Sequence, residues 1–445
     1  MDTTNRPSQP SYPSPASNRV VGWLLSGRHG ILSGLQRVQD VIATRSTHHI
    51  RWPRSNAGER ASSVSSCESD DEDDNFWVNS LGPMLDSMLA EGQYSAVRRR
   101  ELADFFTGCI APYFGPKPTR DASNGRLIPA WKSFMTDDFT PLEPSWTWKT
   151  GNAHPVLKFS AEAVPQSNTA TGALASAMQM ADGLSRYTDS PLEFDRDALV
   201  TVVNLLTSRV DSIQQGREHE QGSTALSQVM IGFDVNHGKT AVKAYILPTL
   251  RSLETGQSKL EVVTAAVRAC GAGACWEHVL QYLAPQPDAD PFILAIDCTS
   301  LDKARFKPRW SHSAAAKFVA AIRDLWARLA GNSDGDNIWR VASQTAGGTP
   351  MYFSVDRAAT LPTPKFYVPV RLLGWDDGRI AQVVGEWLAA HGNPAAGSSY
   401  VTALQSLSPG RSLSSRYGFH TYIGISPLPN GEIEPSVYLN PSIFS

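Results

Sequence analysis

Residues 240–248 read TAVKAYILP. Val242, Ala244 and Ile246 alternate with Lys243 and Tyr245, and that period of two predicts a β-strand with two unlike faces. One face is apolar; the other carries a cation and a phenol. The text just before it, LSQVMIGFDV followed by NHGK, supplies an antiparallel partner and a turn. Four more pairs of this kind lie along the chain. They are PLEPSWTW with VLKFSAEA (141–148, 156–163), PFILAID with KARFKPRW (291–297, 303–310), PMYFSVD with PKFYVPVR (350–356, 364–371), and FHTYIGIS with EIEPSVYL (419–426, 432–439).

Helical text separates the hairpins, as in RDALVTVVNLLTSRVDSI, AAAKFVAAIRDLWARLA and GRIAQVVGEWLAAHG, and a run at 84–106 reads as one further helix. Five hairpins make ten antiparallel strands, which can close into a barrel and leave no edge unpaired. The helices have apolar faces to bury and would cover its outside. The strands are therefore expected to be apolar outward and free to be polar toward a central chamber. Val242, Ala244 and Ile246 would face the helices, and Lys243 and Tyr245 the lumen.

Of the 445 residues, 41% are hydrophobic and 19% charged, as in ordinary globular proteins. A net charge of −3 gives no pointer to nucleic acid or an anionic membrane. Five scattered cysteines, with no CxxC pair, suit a reducing compartment and place no metal. No apolar run has the roughly 18 residues a membrane span needs, and the N-terminus lacks signal-peptide architecture, so the expected location is cytoplasmic. Residues 1–75 are expected to be a largely disordered extension and 76–445 a single domain. SSVSSCESDDEDD (62–74) reads as a solvated acidic linker, and VVGWLLSGRHGILSGLQRVQDVIATR (20–45) has the pattern of an amphipathic helix.

The second strand of each hairpin carries the same chemistry on one face: Lys158; Lys243 and Tyr245; Arg305, Lys307 and Arg309; Lys365 and Tyr367; and Tyr438. Cations gathered in a low-dielectric chamber repel one another unless a polyanion binds among them, and a diphosphate fits through charge-assisted hydrogen bonds. Tyrosine faces can stabilise a carbocation and shield it from water. Together they describe a prenyl-transfer site.

On WKSFMTDDFTPLEPSW, VLKF, VKAYILP, ARFK, KFYVPV, HTYIGIS and PSVYLNP, in that order, the chain resembles the fungal dimethylallyltryptophan-synthase-type aromatic prenyltransferases, over roughly residue 77 to the C-terminus. The resemblance implies an αββα-repeat (ABBA) barrel of ten antiparallel strands surrounded by helices. It implies transfer of a dimethylallyl group from dimethylallyl diphosphate to an aromatic ring, with no cofactor and no metal. The aspartate pairs Asp137-Asp138 and Asp376-Asp377 lack the second half of a magnesium-binding DDxxD.

Residue by residue, the resemblance gives the diphosphate to Lys158, Lys243, Arg305, Lys307 and Lys365. The carbocation shield falls to Tyr245, Tyr367, Tyr422 and Tyr438, and the acceptor-anchoring carboxylate to Glu143. Arg309 and Glu434 stand where tyrosines are common. Met230 stands where some tryptophan-prenylating members have a lysine, which leaves proton loss to Gln228, Glu143 or water. A methionine there also makes the acceptor pocket more apolar. The expected acceptor is a bulky indole-containing secondary metabolite, such as an indole alkaloid or indole diterpene. The alternatives are a phenolic polycyclic polyketide (xanthone-like) or a non-catalytic small-molecule-binding barrel. Expected partners are the aromatic acceptor and the prenyl diphosphate, with the protein a monomer or homodimer.

Overall fold

The computed structural model describes residues 76–189, 191–211, 226–284, 290–299, 312–331, 351–355, 361–407, 410–428 and 430–444, together with the backbone of 22–26. Its centre is a sheet that meets itself. The strands are β1 (Gly22–Ser26), β2 (Leu142–Thr147), β3 (Val156–Ala161), β4 (Val229–Val235), β5 (Thr240–Ile246), β6 (Asp290–Asp297), β7 (Met351–Ser354), β8 (Thr363–Val368), β9 (His420–Pro427) and β10 (Ile433–Leu439). Neighbours run β5-β4-β3-β2-β10-β9-β8-β7-β1-β6, and β6 pairs back onto β5. All of these pairings are antiparallel. A two-residue strand, Leu192–Glu193, adds in parallel to β5 from outside the ring.

The ten-stranded barrel expected from the hairpins is thus present, with one strand of different origin. The strand expected at 303–310, and with it Arg305, Lys307 and Arg309, lies outside the described residues. Between β6 and β7 the ring holds β1 instead, with Gly22 opposite Ala295 and Leu25 opposite Met351. The helix expected over 20–45 is therefore corrected where it is described: residues 22–26 are a strand.

Outward positions of the ring are apolar, as the alternation required. Trp146, Leu157, Phe159, Val242, Ala244, Ile246, Val437 and Leu439 are all buried in one continuous core beneath the helices. Trp146 also donates its indole N–H to the Met88 carbonyl at 3.2 Å, which fixes β2 against α1 (Phe76–Glu91). The single helix expected at 84–106 is two helices, α1 and α2 (Ala96–Cys109). The break has local causes. Gln93 takes a φ of 53°, and a Cβ on Gly92 would fall 2.7 Å from the Pro155 carbonyl oxygen. Ser95 then caps α2 by accepting from the Arg98 N–H. Between the two helices, the Tyr94 hydroxyl donates to the Val235 carbonyl and accepts from the Leu157 N–H, tying the break to β4 and β3.

Further helices follow in chain order: α3 (Ala170–Arg186), α4 (Arg196–Leu206), α5 (Thr249–Thr255), α6 (Lys259–Ala269), α7 (Gly273–Leu283), α8 (His312–Leu329), α9 (Asp377–Ala390) and α10 (Pro394–Ser406). The Asp376-Asp377 pair proves to be a joint of this shell. Asp376 caps α9, while Asp377 accepts from the Phe419 and His420 N–H groups and meets the His420 ring. That bond network sets the starting point of β9.

The two ends of the barrel differ in what gathers there. At one of them β2, β4 and β9 begin, and β3, β5, β8 and β10 end. Residues 131–140 and the turn Val370–Leu373 lie at this mouth.

Candidate active site

The inward positions carry three tiers of side chain. Farthest from the mouth are lysines: Lys158 on β3, Lys243 on β5 and Lys365 on β8. Two residues nearer the mouth, about 6–7 Å along each strand, stand Tyr245 on β5 and Tyr367 on β8. Met230 stands directly opposite Tyr245, and at the mouth are Glu143, Tyr422 and Arg371.

The lysines are held apart by carboxylates that strand alternation alone does not reveal. Asp234 lies 2.6 Å from the Lys243 ammonium and 3.7 Å from that of Lys158, and Asp297 lies 3.7 Å from Lys243. Burial works against the charge on Lys243, but Asp234 and Asp297 outweigh it and its pKa stands well above the ordinary lysine value. Lys243 is therefore a fixed cation at any physiological pH. The expected cluster of mutually repelling cations is corrected to a cluster already partly balanced. Asp234 could have been found from the turn: with NHGK closing the hairpin, it falls opposite Ala241 and diagonally beside Lys243.

Lys365 is arranged differently. Its ammonium donates to the Tyr438 hydroxyl at 2.9 Å and to Ser436 Oγ at 3.2 Å, and lies 5.1 and 5.2 Å from the ring centres of Tyr367 and Tyr438. Those rings are 5.6 Å apart, and Tyr422 meets Tyr367 edge to face at 6.1 Å. Burial pushes the phenols of Tyr245, Tyr367, Tyr422 and Tyr438 upward, so they stay neutral hydrogen-bond donors. Room for this packing comes from glycines. A Cβ on Gly232 would stand 2.6 Å from the Tyr245 ring, and one on Gly424 would stand 2.7 Å from Lys365 Cε. Gly424→Ala is accordingly expected to move the Lys365 ammonium off Tyr438 and Ser436. Losing one charge-assisted hydrogen bond corresponds to about a tenfold rise in KM for the anionic substrate. Steady-state kinetics at varied donor concentration check this; an unchanged donor KM contradicts it.

At the mouth, the Thr421 hydroxyl donates to Glu143 Oε1 at 2.8 Å. Burial pushes the Glu143 carboxyl up to about 8, with Thr421 and Arg371 acting in the opposite direction. Met230 sits in a separate apolar cluster with Leu247 and Ile293, against Phe134, Met135, Tyr245 and Phe292. Phe134 and Met135 reach it because Glu162, a buried carboxylate, accepts from Trp131 Nε1, Ser133 Oγ and the Phe134 N–H. Glu162 falls two residues beyond Ser160 on the face that carries Lys158, just past the end of β3, so its side was legible in VLKFSAEA while its partners were not. Asp137 pairs with Arg371 at 2.6 Å and Asp138 accepts from Thr136, Thr140 and Phe444. Both aspartates of that pair thus have structural partners.

Glu434 lies half-buried on the same face of β10 as Ser436 and Tyr438. Gln228 is not brought into this group. Its amide accepts from the Ser208 N–H and donates to the Ala170 and Ser208 carbonyls, so it serves the packing of α3 and cannot also take a proton from a ring. Among the described residues no group of three or more His, Cys, Asp or Glu could hold a metal ion, and no helix is long and apolar enough to cross a membrane.

The family model described as tryptophan dimethylallyltransferase matches residues 73–308 and 308–403. The 4-O-dimethylallyl-L-tyrosine synthase of Claviceps purpurea is 28% identical, over 82% of this chain and 87% of its own. Xanthone prenyltransferase A of Emericella nidulans is 26% identical, over 83% and 93% respectively. Among solved structures, NotF in complex with brevianamide F and DMSPP superposes with a TM-score of 0.67 at 18% identity, covering 85% of this chain and 96% of that one. AnaPT from Neosartorya fischeri gives 0.66 at 18% identity, covering 82% and 93%.

Proposed function

Since the chain belongs to the tryptophan dimethylallyltransferase family and is an aromatic prenyltransferase of ABBA fold, we propose that it moves a dimethylallyl group from dimethylallyl diphosphate to a ring carbon of a bulky indole-containing metabolite. The observation that carries this reading is the tiering of the lumen. Fixed cations lie deep, neutral phenols lie between, and a carboxylate stands at the mouth. The C1–O bond of the donor breaks with its electron pair going to the diphosphate, which Lys158, Lys243 and Lys365 hold. Preorganised cations stabilise that developing charge without needing to reorganise. Tyr245, Tyr367, Tyr422 and Tyr438 present π-faces to the allylic cation and keep water away. A ring carbon then attacks C1. As electrons leave the ring its N–H becomes more acidic, and a hydrogen bond to the Glu143 carboxylate strengthens in the transition state. The ring proton at the attacked carbon leaves last, to Glu143 or to water.

Met230 and its apolar neighbours support a large, poorly polar acceptor over free tryptophan. A phenolic polycycle, attacked at carbon or oxygen, is the second reading; the likeness to a xanthone prenyltransferase and to a tyrosine O-prenylating enzyme favours it. In either case Arg305 and Lys307 belong with the diphosphate ligands and Arg309 with the acceptor pocket. The enzyme is proposed to be cytoplasmic, a monomer or homodimer, and to need no metal; residues 22–26, as a strand of the ring, belong to the active unit with 76–445.

Diphosphate release from dimethylallyl diphosphate, measured in EDTA across a panel of indoles and polycyclic phenols with mass spectrometry of the products, tests this. An indole gaining one dimethylallyl group in EDTA is the expected result. Turnover of phenols alone moves the assignment to the second reading. Release that requires added magnesium contradicts the metal-free mechanism.

A further inference from the structure

Arg371 stands just past the end of β8, at the mouth and beside the carboxylate proposed to anchor the acceptor. Its Nε lies 2.6 Å from Asp137 as an ion pair, and its guanidinium carbon lies 4.3 Å from the centre of the Tyr422 ring. The side chain is 12% exposed and the Tyr422 hydroxyl also engages the guanidinium, while Nη1 is buried with no hydrogen-bond partner among the described residues. A buried donor left unmatched loses its hydration with nothing in return, and the cost is larger when the group is charged. Pinning the 131–140 loop through Asp137 explains Nε and leaves Nη1 unexplained. A cation that only needed to hold a loop would not require an additional donor sealed in the mouth.

We infer that Arg371 is a second anchor for the acceptor, its Nη1 donating to a carbonyl-type oxygen that the acceptor carries away from the reacting ring. This rests on the proposed seat of the acceptor at Glu143. A carboxylate and a neutral amide or ketone present the same oxygen. Asp137 already balances the guanidinium, and Glu143 adds no positive charge in either protonation state. A further carboxylate in the mouth would be an uncompensated buried anion, so a neutral carbonyl is favoured. The acceptor class this selects is an uncharged aromatic with an amide or ketone on its far edge.

The test compares acceptors matched in size: indole-3-propionamide, indole-3-propionate and 3-butylindole, with 3-hydroxyxanthone against 3-hydroxyxanthene as a phenolic pair. Wild type, Arg371→Met and Asp137→Asn are assayed for kcat/KM on each. A hydrogen bond from a charged donor corresponds to about a 10- to 100-fold preference for the carbonyl-bearing member. Arg371→Met is expected to collapse that ratio toward one, and Asp137→Asn, which frees the loop and leaves Nη1 in place, to keep it. Equal preference in wild type, or a collapse reproduced by Asp137→Asn, overturns the inference in favour of loop pinning. If the propionate is the member whose advantage Arg371→Met removes, the anchor stands and its ligand is a carboxylate. Turnover of the phenolic pair alone overturns the indole assignment while leaving the ratio within that pair to decide on Arg371.

Discussion

Glu143→Gln is expected to lower kcat/KM for the acceptor by about 10²- to 10⁴-fold, the span associated with losing a positioned acid–base group. Glutamine keeps the size of the side chain and a carbonyl to accept from Thr421, so the fold is retained and the loss reads the carboxylate itself. The pH profile should separate this from a packing defect. Burial lifts the Glu143 carboxyl to about 8, and it works as a hydrogen-bond acceptor when ionised. Wild-type kcat/KM should therefore rise with pH through a midpoint near 8, and the variant should be flat across that range. Stability moves the other way. A carboxyl raised in the folded state stabilises the fold fully below its unfolded value near 4.5 and loses that contribution as pH rises through about 8. Thermal denaturation of the wild type should thus decline over that window, and the glutamine variant should lack that component. A variant with an unshifted pH–rate profile contradicts the assignment.

Lys243→Met carries the second large effect, and it has two parts. Removing a cation from the leaving group's site is expected to reduce diphosphate release by about 10²- to 10³-fold, the scale seen when one preorganised donor to a developing oxyanion is lost. The substitution also strands Asp234 and Asp297. Breaking one side of a largely buried ion pair costs about 3 kcal/mol of stability, and Lys243 and Asp234 are each 22% exposed. The double variant Lys243→Met/Asp234→Asn removes the stranded charge along with the cation. Denaturant titration should show most of the stability regained, and release assays should show no recovery. Recovery of activity in the double variant would mean that Lys243 matters only as the counterion of Asp234.

What the sequence makes legible comes from periodicity. Hairpin strands buried on one face write their alternation into the text, so the ring, the lumenal ladder of Lys158, Lys243, Lys365 and the tyrosines, and the position of Glu143 all lie where the period of two puts them. The carboxylates were harder. A lone aspartate such as Asp297 in an apolar strand has no local partner, and only cross-strand register places it 3.7 Å from Lys243. Arg371 lies beyond the strand in a turn, where no period applies, so it reads as a strand-end charge until the Asp137 loop is folded over it. Glu162 keeps the period of Lys158 and Ser160, but the groups it gathers come from 131–134, a stretch with no pattern of its own. The break at Gly92–Gln93 was hidden by continuous helix-forming residues on both sides, and it depends on Pro155, a neighbour remote in sequence.

The seam between β2 and β10 bears on how the molecule is made. Thr147 and Ser436 meet side chain to side chain at 2.9 Å across a separation of 289 residues. At about 5–20 residues per second of synthesis, β2 leaves the ribosome roughly 15–60 s before the strand that will cover it. During that interval its edge is an open template for pairing with another nascent chain. Growth temperature and chaperone supply should consequently govern soluble yield more strongly than they govern the stability of the finished protein. β10, which carries Tyr438, then pairs with β2 and closes that seam of the chamber.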